Sequence, residues 1–405
     1  AGAWCGQNKY LSAIKNAFQN FMPLTIAGAI GVLWCNVLVN DQTGLGLFFK
    51  PIMALDFLNP AFQAVNFCTI SCITVGITLG IAQEIGVWNM GAERAGYIPG
   101  LVGLAAWLSV TNTSHMVDGA KEAFTGIAGN ELGATGLFTG MIIGVLSVEL
   151  FCFFEKQDAL KIKMPEQVPP GVARAFEVLV PATITLIITA CIGSACYNLT
   201  GLYLNDVIKN GIQGPLGAVG ATIPGVMIIY LVIMLFWLVG IHGNNMLSAV
   251  KEALFTPLAL ENVEAFNKHQ TPKNIINMYA LQMWGEFGGS GVTIGLVIAI
   301  MIFGKREDNK AIASLSLVPG LFNINETVTF GIPMVLNPIL GIPFVVAPLI
   351  TIIIGYVLTV IGFCPVACLT VPWTTPPIVF GFLATGANVM GAVTQAILIV
   401  VSTVI

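Results

Sequence analysis

Two ionisable side chains stand where the surrounding sequence offers few others. Glu326 ends the motif Asn323-Ile324-Asn325-Glu326, and the run that follows it, 327–405, holds no charged residue. A carboxylate near hydrocarbon costs about 2.5–3.5 kcal/mol on insertion scales, so it is expected to face a cavity or a partner. The plainer alternative is an interfacial Glu that caps the next segment. His242 lies in Gly240-Ile241-His242-Gly243-Asn244-Asn245, within the uncharged stretch 210–250. Glycine permits close backbone approach to a ligand, and imidazole with the amides of Asn244 and Asn245 offers paired donors and acceptors. That set suits a polyhydroxylated solute, against the alternative of a buried His satisfied by a carbonyl. Trp237 precedes His242 by five residues, and Trp373 and Thr374 sit in Pro372-Trp373-Thr374-Thr375-Pro376-Pro377. Both indoles offer apolar faces to the C–H side of a sugar ring, although interfacial anchoring also explains a Trp. Gly288-Gly289-Ser290-Gly291 either exposes backbone amides to a solute or lets two helices approach closely.

These residues must be positioned by elements that live in a membrane. The chain has 405 residues, of which 9% are charged and 56% hydrophobic, with a mean hydropathy of +0.87. Soluble domains carry roughly 25% charge. No charged residue occurs in 16–40, 57–83, 95–117, 178–205, 210–250, 287–304 or 327–405. Since about 20 apolar residues cross a bilayer as a helix, these stretches predict an all-α polytopic membrane protein with about ten membrane segments. Unbroken aliphatic runs such as Ala396–Val401 exclude the alternation of a transmembrane barrel. Four spans are expected near 15–39, 62–83, 96–110 and 134–154, and a long helix near 172–199. The N-terminus lacks the basic start and cleavage site of a secretory signal.

Lys156, Lys161, Lys163 and Arg174 cluster in one loop and Lys305, Arg306 and Lys310 in another, which places both loops in the cytoplasm. The Pro-rich stretch Glu155–Pro181 reads as a cytoplasmic linker, centred near 155–171, between the two groups of spans. After it, Gly-, Pro- and Asn-rich motifs interrupt apolar sequence. Broken helices at membrane depth are tolerated only beside protein or a water-filled cavity, and they are the best sequence pointer to a transport site. The nine cysteines lie mostly in apolar runs and read as small buried hydrophobes. No GxxxxGK[ST] or GxGxxG motif appears, nor HExxH or Cys/His clusters, so neither cofactor nor metal is expected. A formal net charge of −4 without a basic run excludes nucleic acid.

The motifs GIHGNN, GGSG, PGLFNINETVTFGIPMVLNP and PWTTPP, with the opening NKYLSAIKNAFQNFMPLTIAG, resemble the membrane IIC component (permease) of bacterial sugar phosphotransferase systems. The likeness is to the lactose, cellobiose and N,N'-diacetylchitobiose branch and covers essentially the whole chain. It implies a homodimer in the bacterial cell membrane with ten transmembrane helices per subunit. Residues 1–205 would make the dimer contact, and 206–405 would hold a disaccharide between two re-entrant hairpins. Glu326 and His242 would lie near the hydroxyl to be phosphorylated, with Trp237, Gly243, Asn244, Asn245, Gly289, Ser290, Asn325, Trp373 and Thr374 around the sugar. The phosphoryl donor would be a phosphocysteine of a soluble IIB partner, expected in trans because no soluble domain follows the last apolar segment. Glu326 would accept the hydroxyl proton while His242 orients the group, and the C-terminal half would move as a body, elevator fashion. The rival reading is a secondary transporter coupled to protons through the same two residues. A membrane enzyme with a buried Glu/His site is a third class and would turn over without any soluble partner.

Overall fold

The computed structural model describes residues 8–41, 45–115, 124–165, 167–215, 220–332, 334 and 337–405. It is helical, with one two-stranded pairing of Ser114–His115 with Phe124–Thr125. Two compact units emerge, Gln7–Leu24 with Thr69–Leu216 and Thr25–Cys68 with Gly217–Ile405, and helix α1 (Lys9–Leu33) contributes to both.

In the first unit, α3 (Ile73–Met90), α4 (Ile98–Val110), α5 (Ala134–Glu155) and α6 (Pro170–Thr200) pack together. Ile73, Ile77, Ile81 and Ile85 are all fully buried, as the i, i+4 stripe of one helix face requires. Small residues bring the backbones close: a Cβ on Gly103 would lie 2.3 Å from that of Ala82, and one on Gly140 2.2 Å from Thr78 Oγ1. The expected segment 62–83 is not one helix. It comprises α2 (Asn59–Asn66), a π turn Phe67–Ser71, and α3, which continues past Glu84 to Met90. Asn16 Nδ2 donates to Glu84 Oε2 at 2.9 Å, so the carboxylate does not end the helix. Gly91, at φ +82°, does. Arg174 of the basic loop is spent within the protein, since it and Arg94 both hold Glu155, at 2.9 and 2.8 Å.

The second unit contains α7 (Ile223–Leu238), α8 (Gly243–Asn267), α9 (Met278–Gly285), α10 (Ile294–Phe303) and α11 (Glu307–Leu321). It is completed by α12 (Glu326–Gly331), α13 (Pro338–Val360), α14 (Val379–Ala384) and α15 (Val389–Val404). Thr222, Asn277, Asn337 and Asn388 cap α7, α9, α13 and α15 by accepting from backbone N–H groups. Helices α7 and α8 pack as a hairpin, as do α10 with α11 and α14 with α15. Trp284, Phe255, Phe287 and Tyr230 fill the core. Buried Gln395 ties α15 to three backbone groups, accepting from Ile378 N at 2.8 Å and Gly381 N at 2.7 Å and donating to Met283 O at 3.2 Å.

Among the described residues, four helical runs are long and apolar enough to cross a membrane: Lys9–Leu38, Ala134–Glu155, Pro170–Thr200 and Ile339–Val360. Lys50–Ser71 with Ile73–Met90 is a broken fifth candidate, and Ile98–Val110, Ile223–Leu238, Ile294–Phe303 and Val389–Val404 are shorter apolar helices. Glycine- and proline-rich motifs divide the remaining apolar sequence into these shorter helices.

Candidate functional site

The turn between α7 and α8 presents His242. Its ring caps α8, with Nδ1 accepting from Asn245 N at 3.2 Å. In the neutral imidazole that bond leaves the proton on Nε2, and Nε2 lies 3.6 Å from Glu326 Oε1. This exceeds hydrogen-bond length, and the two side chains are 36% and 46% exposed, so both remain available to a third group. An N–H donor and a carboxylate acceptor therefore converge on one point from two segments far apart in the chain.

Glu326 is held there by the asparagines before it. Asn323, in left-handed conformation at φ +62°, accepts from Gly288 N at 2.7 Å and donates to Trp373 O at 2.5 Å and Thr375 O at 3.1 Å. Asn325 is buried and donates to Ser290 O at 2.8 Å. The NxNE motif is thus a clasp that joins the GGSG turn to the PWTTPP segment and leaves Glu326 at its edge. Gly289 is required by this clasp, because at φ +89° its Cβ would stand 2.7 Å from Asn325 Cβ.

The remaining sequence candidates divide sharply. Trp237 is 1% exposed. Its ring packs 4.4 Å from that of His242 and edge-on to Phe344, so it supports the imidazole from behind and offers no free face. Gly243 is required by α7, since a Cβ there would meet Ile233 O at 2.0 Å. We expect Gly243→Ala to push the two helices apart and lower stability by about 1–3 kcal/mol, the usual cost of overpacking, read by thermal unfolding of the purified protein. Asn325 spends its amide N–H on the main-chain carbonyl of Ser290, and both residues are buried. Asn244 Oδ1 is buried without a hydrogen-bond partner among the described residues, Asn245 and Trp373 are exposed, and Thr374, next to Trp373 in sequence, is half-buried.

A further charged group lies on the same helices. Lys251 Nζ contacts Glu286 Oε1, which also accepts from Tyr230 OH at 2.7 Å. The ammonium lies 5.6 Å from the Tyr230 ring centroid, and its side chain and that of Glu286 are only 7% and 14% exposed. Lys251 and Glu286 border the charge-free stretches 210–250 and 287–304, and the sequence reading assigns them no role. Lys251 falls seven residues after Asn244 and so shares its face of α8, which is the signal that would have flagged it. Glu286 opens the GGSG turn, and its carbonyl accepts from Gly289 N at 3.0 Å, so the buried pair anchors that turn to α8.

Comparison with known proteins identifies the arrangement. The sequence model of the phosphotransferase system EIIC family matches residues 15–348. The oligo-beta-mannoside-specific EIIC component of Bacillus subtilis (strain 168) is 33% identical, covering 96% of this chain and 86% of the relative. The cellobiose-specific EIIC component of Lactococcus lactis subsp. lactis (strain IL1403) is 30% identical over 99% of this chain and 93% of its own. Among solved structures, the transporter ChbC, the IIC component of the N,N'-diacetylchitobiose-specific system, superposes with a TM-score of 0.90 at 29% identity, covering 99% of this chain and 93% of its own. The chain therefore belongs to the phosphotransferase system EIIC family and is an integral membrane sugar permease.

Proposed function

We propose that this permease translocates a β-linked disaccharide of the cellobiose or diacetylchitobiose type and presents it to a phosphorylated IIB partner. The observation that carries this reading is the convergence of His242 Nε2 and Glu326 Oε1 at 3.6 Å with both groups open. Phosphoryl transfer asks the receiving side for an aligned hydroxyl and a destination for its proton. Glu326 accepts that proton, and the Nε2–H of His242 orients the oxygen. Trp373, Thr374, Asn244 and Asn245 line the sugar, while Trp237, Gly243, Gly289, Ser290 and Asn325 hold those groups in place. The relatives support the substrate class, being specific for oligo-beta-mannoside, cellobiose and N,N'-diacetylchitobiose.

The chain works as a homodimer of ten-span subunits in the bacterial cell membrane. Residues 1–205 make the dimer contact, and 206–405, with two re-entrant hairpins, carry the sugar elevator fashion. Thr25–Cys68 cluster with Gly217–Ile405 in one compact unit. Purified protein in liposomes tests the reading. Uptake of radiolabelled cellobiose or diacetylchitobiose is expected to yield phosphorylated product only with phosphorylated IIB present. Accumulation of free sugar driven by a pH gradient would establish the proton-coupled alternative instead.

A further inference from the structure

A second polar cavity lies in the same unit, well away from His242 and Glu326. It encloses about 570 Å³ and is lined by Asn36, Asn59, Gln63, Asn267, Asp41 and Asp56, among others. Helix α8 separates the two places: His242 caps its start and Asn267 is its last residue. At 1.5 Å per residue its 25 residues span about 37 Å. The opposite wall is the π turn Trp34–Leu38 at the end of α1, a distortion found most often at functional sites. Asn36 is buried there and donates to Asn267 Oδ1 at 3.1 Å and Val32 O at 3.1 Å. Trp34 stacks on Phe62 with ring centroids 4.2 Å apart, which fixes the wall. Asn59 Oδ1 is buried with no hydrogen-bond partner among the described residues, an acceptor open to a donor.

The chemistry of these walls is specific. Amides present a donor and an acceptor on one planar group, and a hydroxyl is likewise both. Two carboxylates, of Asp41 and Asp56, stand against one imidazole, of His269, in the lining, so the walls add acceptors and disfavour an anion. The volume falls within the range of small-molecule pockets. Orientation follows from the second unit alone. Helix α9 packs chiefly on α13 and α8 and more lightly on α14 and α15, whereas α10 packs chiefly on α11 and α15 and the two do not pair as a hairpin, so the chain passes through the GGSG turn without folding back. Helix α10 ends at the basic Lys305–Arg306 loop, which is cytoplasmic by charge, and the Asn267 end of α8 then faces outward.

We propose that this cavity is a second, outward-facing site for a neutral polyhydroxylated solute of one or two sugar rings, which rejects the phosphorylated form. It rests on the permease reading only for the source of its ligand. Cys35 lines the cavity and reports on it. The full-length purified protein is treated with a small polar methanethiosulfonate and modification of Cys35 is followed by mass spectrometry. Cellobiose in the millimolar range is expected to slow that modification several-fold, in the parent protein and equally in Glu326→Gln. Cellobiose 6-phosphate is expected to give no protection. In the Glu326→Gln background, Gln63→Phe and Asn267→Leu, which fill the cavity with apolar groups, are expected to remove the protection. If the thiol resists the reagent, slowed amide exchange of Trp34–Val39 in cellobiose gives the same reading. Absence of both effects overturns the proposal, as does protection that disappears in Glu326→Gln alone. Failure of the Glu326 assignment, seen as undiminished phosphorylation by Glu326→Gln, leaves the test to Gln63→Phe and Asn267→Leu, where protection lost with phosphorylation retained assigns the ligand to the cavity and protection kept overturns the proposal.

Discussion

Glu326→Gln is expected to lower sugar phosphorylation by phosphorylated IIB about 10²–10⁴-fold, the usual worth of a positioned general base. Gln preserves the shape of the side chain at the first position of α12, and the clasp of Asn323 and Asn325 does not use the Glu326 carboxylate. The side chain is 46% exposed, so stability should stay within about 0.5 kcal/mol, measurable by thermal unfolding. The loss therefore belongs to the chemical step and to binding of the hydroxyl, separable by equilibrium binding of radiolabelled disaccharide. His242→Asn is the companion variant. Asn caps helices well, so α8 keeps its start while the Nε2–H aimed at Glu326 is gone. Sugar affinity and phosphorylation should both fall with the fold retained. A full phosphorylation rate in Glu326→Gln would remove the carboxylate as proton acceptor.

Breaking the buried Lys251–Glu286 pair is expected to cost more in stability than any change at the exposed site. Lys251→Met leaves the Glu286 carboxylate buried with Tyr230 OH as its remaining side-chain partner. Removing one member of a buried pair typically costs about 3–5 kcal/mol, because an uncompensated charge remains. Replacing both members, Lys251→Met with Glu286→Gln, removes the stranded charge and should recover most of the loss. The double-mutant cycle reads the coupling directly by thermal unfolding. Since Glu286 opens the GGSG turn and Asn325 fastens to that turn through Ser290 O, the single variants should also weaken disaccharide binding. A double variant no more stable than Lys251→Met would show that the two charges do not depend on each other.

Much of the fold was legible because hydropathy is a local property. Helix Ile98–Val110 falls within the charge-free stretch 95–117, and Ala134–Glu155 and Pro170–Thr200 fall where spans near 134–154 and 172–199 are expected, with Pro170 and Gly201 bracketing the last as proline and glycine should. The segment near 62–83 lies within the bent pair Lys50–Ser71 and Ile73–Met90, and its second helix runs past the charge at Glu84, which Asn16 shelters within α3. Glu326 and His242 were legible as polar groups with no local partner. Trp237 was legible as important, but not which side of the imidazole it occupies. The glycines of GIHGNN and GGSG suggested close approach to a ligand, yet Gly243 makes room for Ile233 O and Gly289 for Asn325.

The sequence by itself determined the membrane class, the family and the short stretches where polar groups interrupt apolar helices. Each of these is written in composition or in motifs a few residues long. Only the tertiary structure decided that His242 faces Glu326, that Lys251 neutralises Glu286, that the NxNE asparagines are spent joining two loops, and that Asn36 meets Asn267 across a cavity. Such pairings join residues tens to hundreds of positions apart. They depend on how helices pack and where glycine lets backbones touch, which no local pattern of residue types encodes.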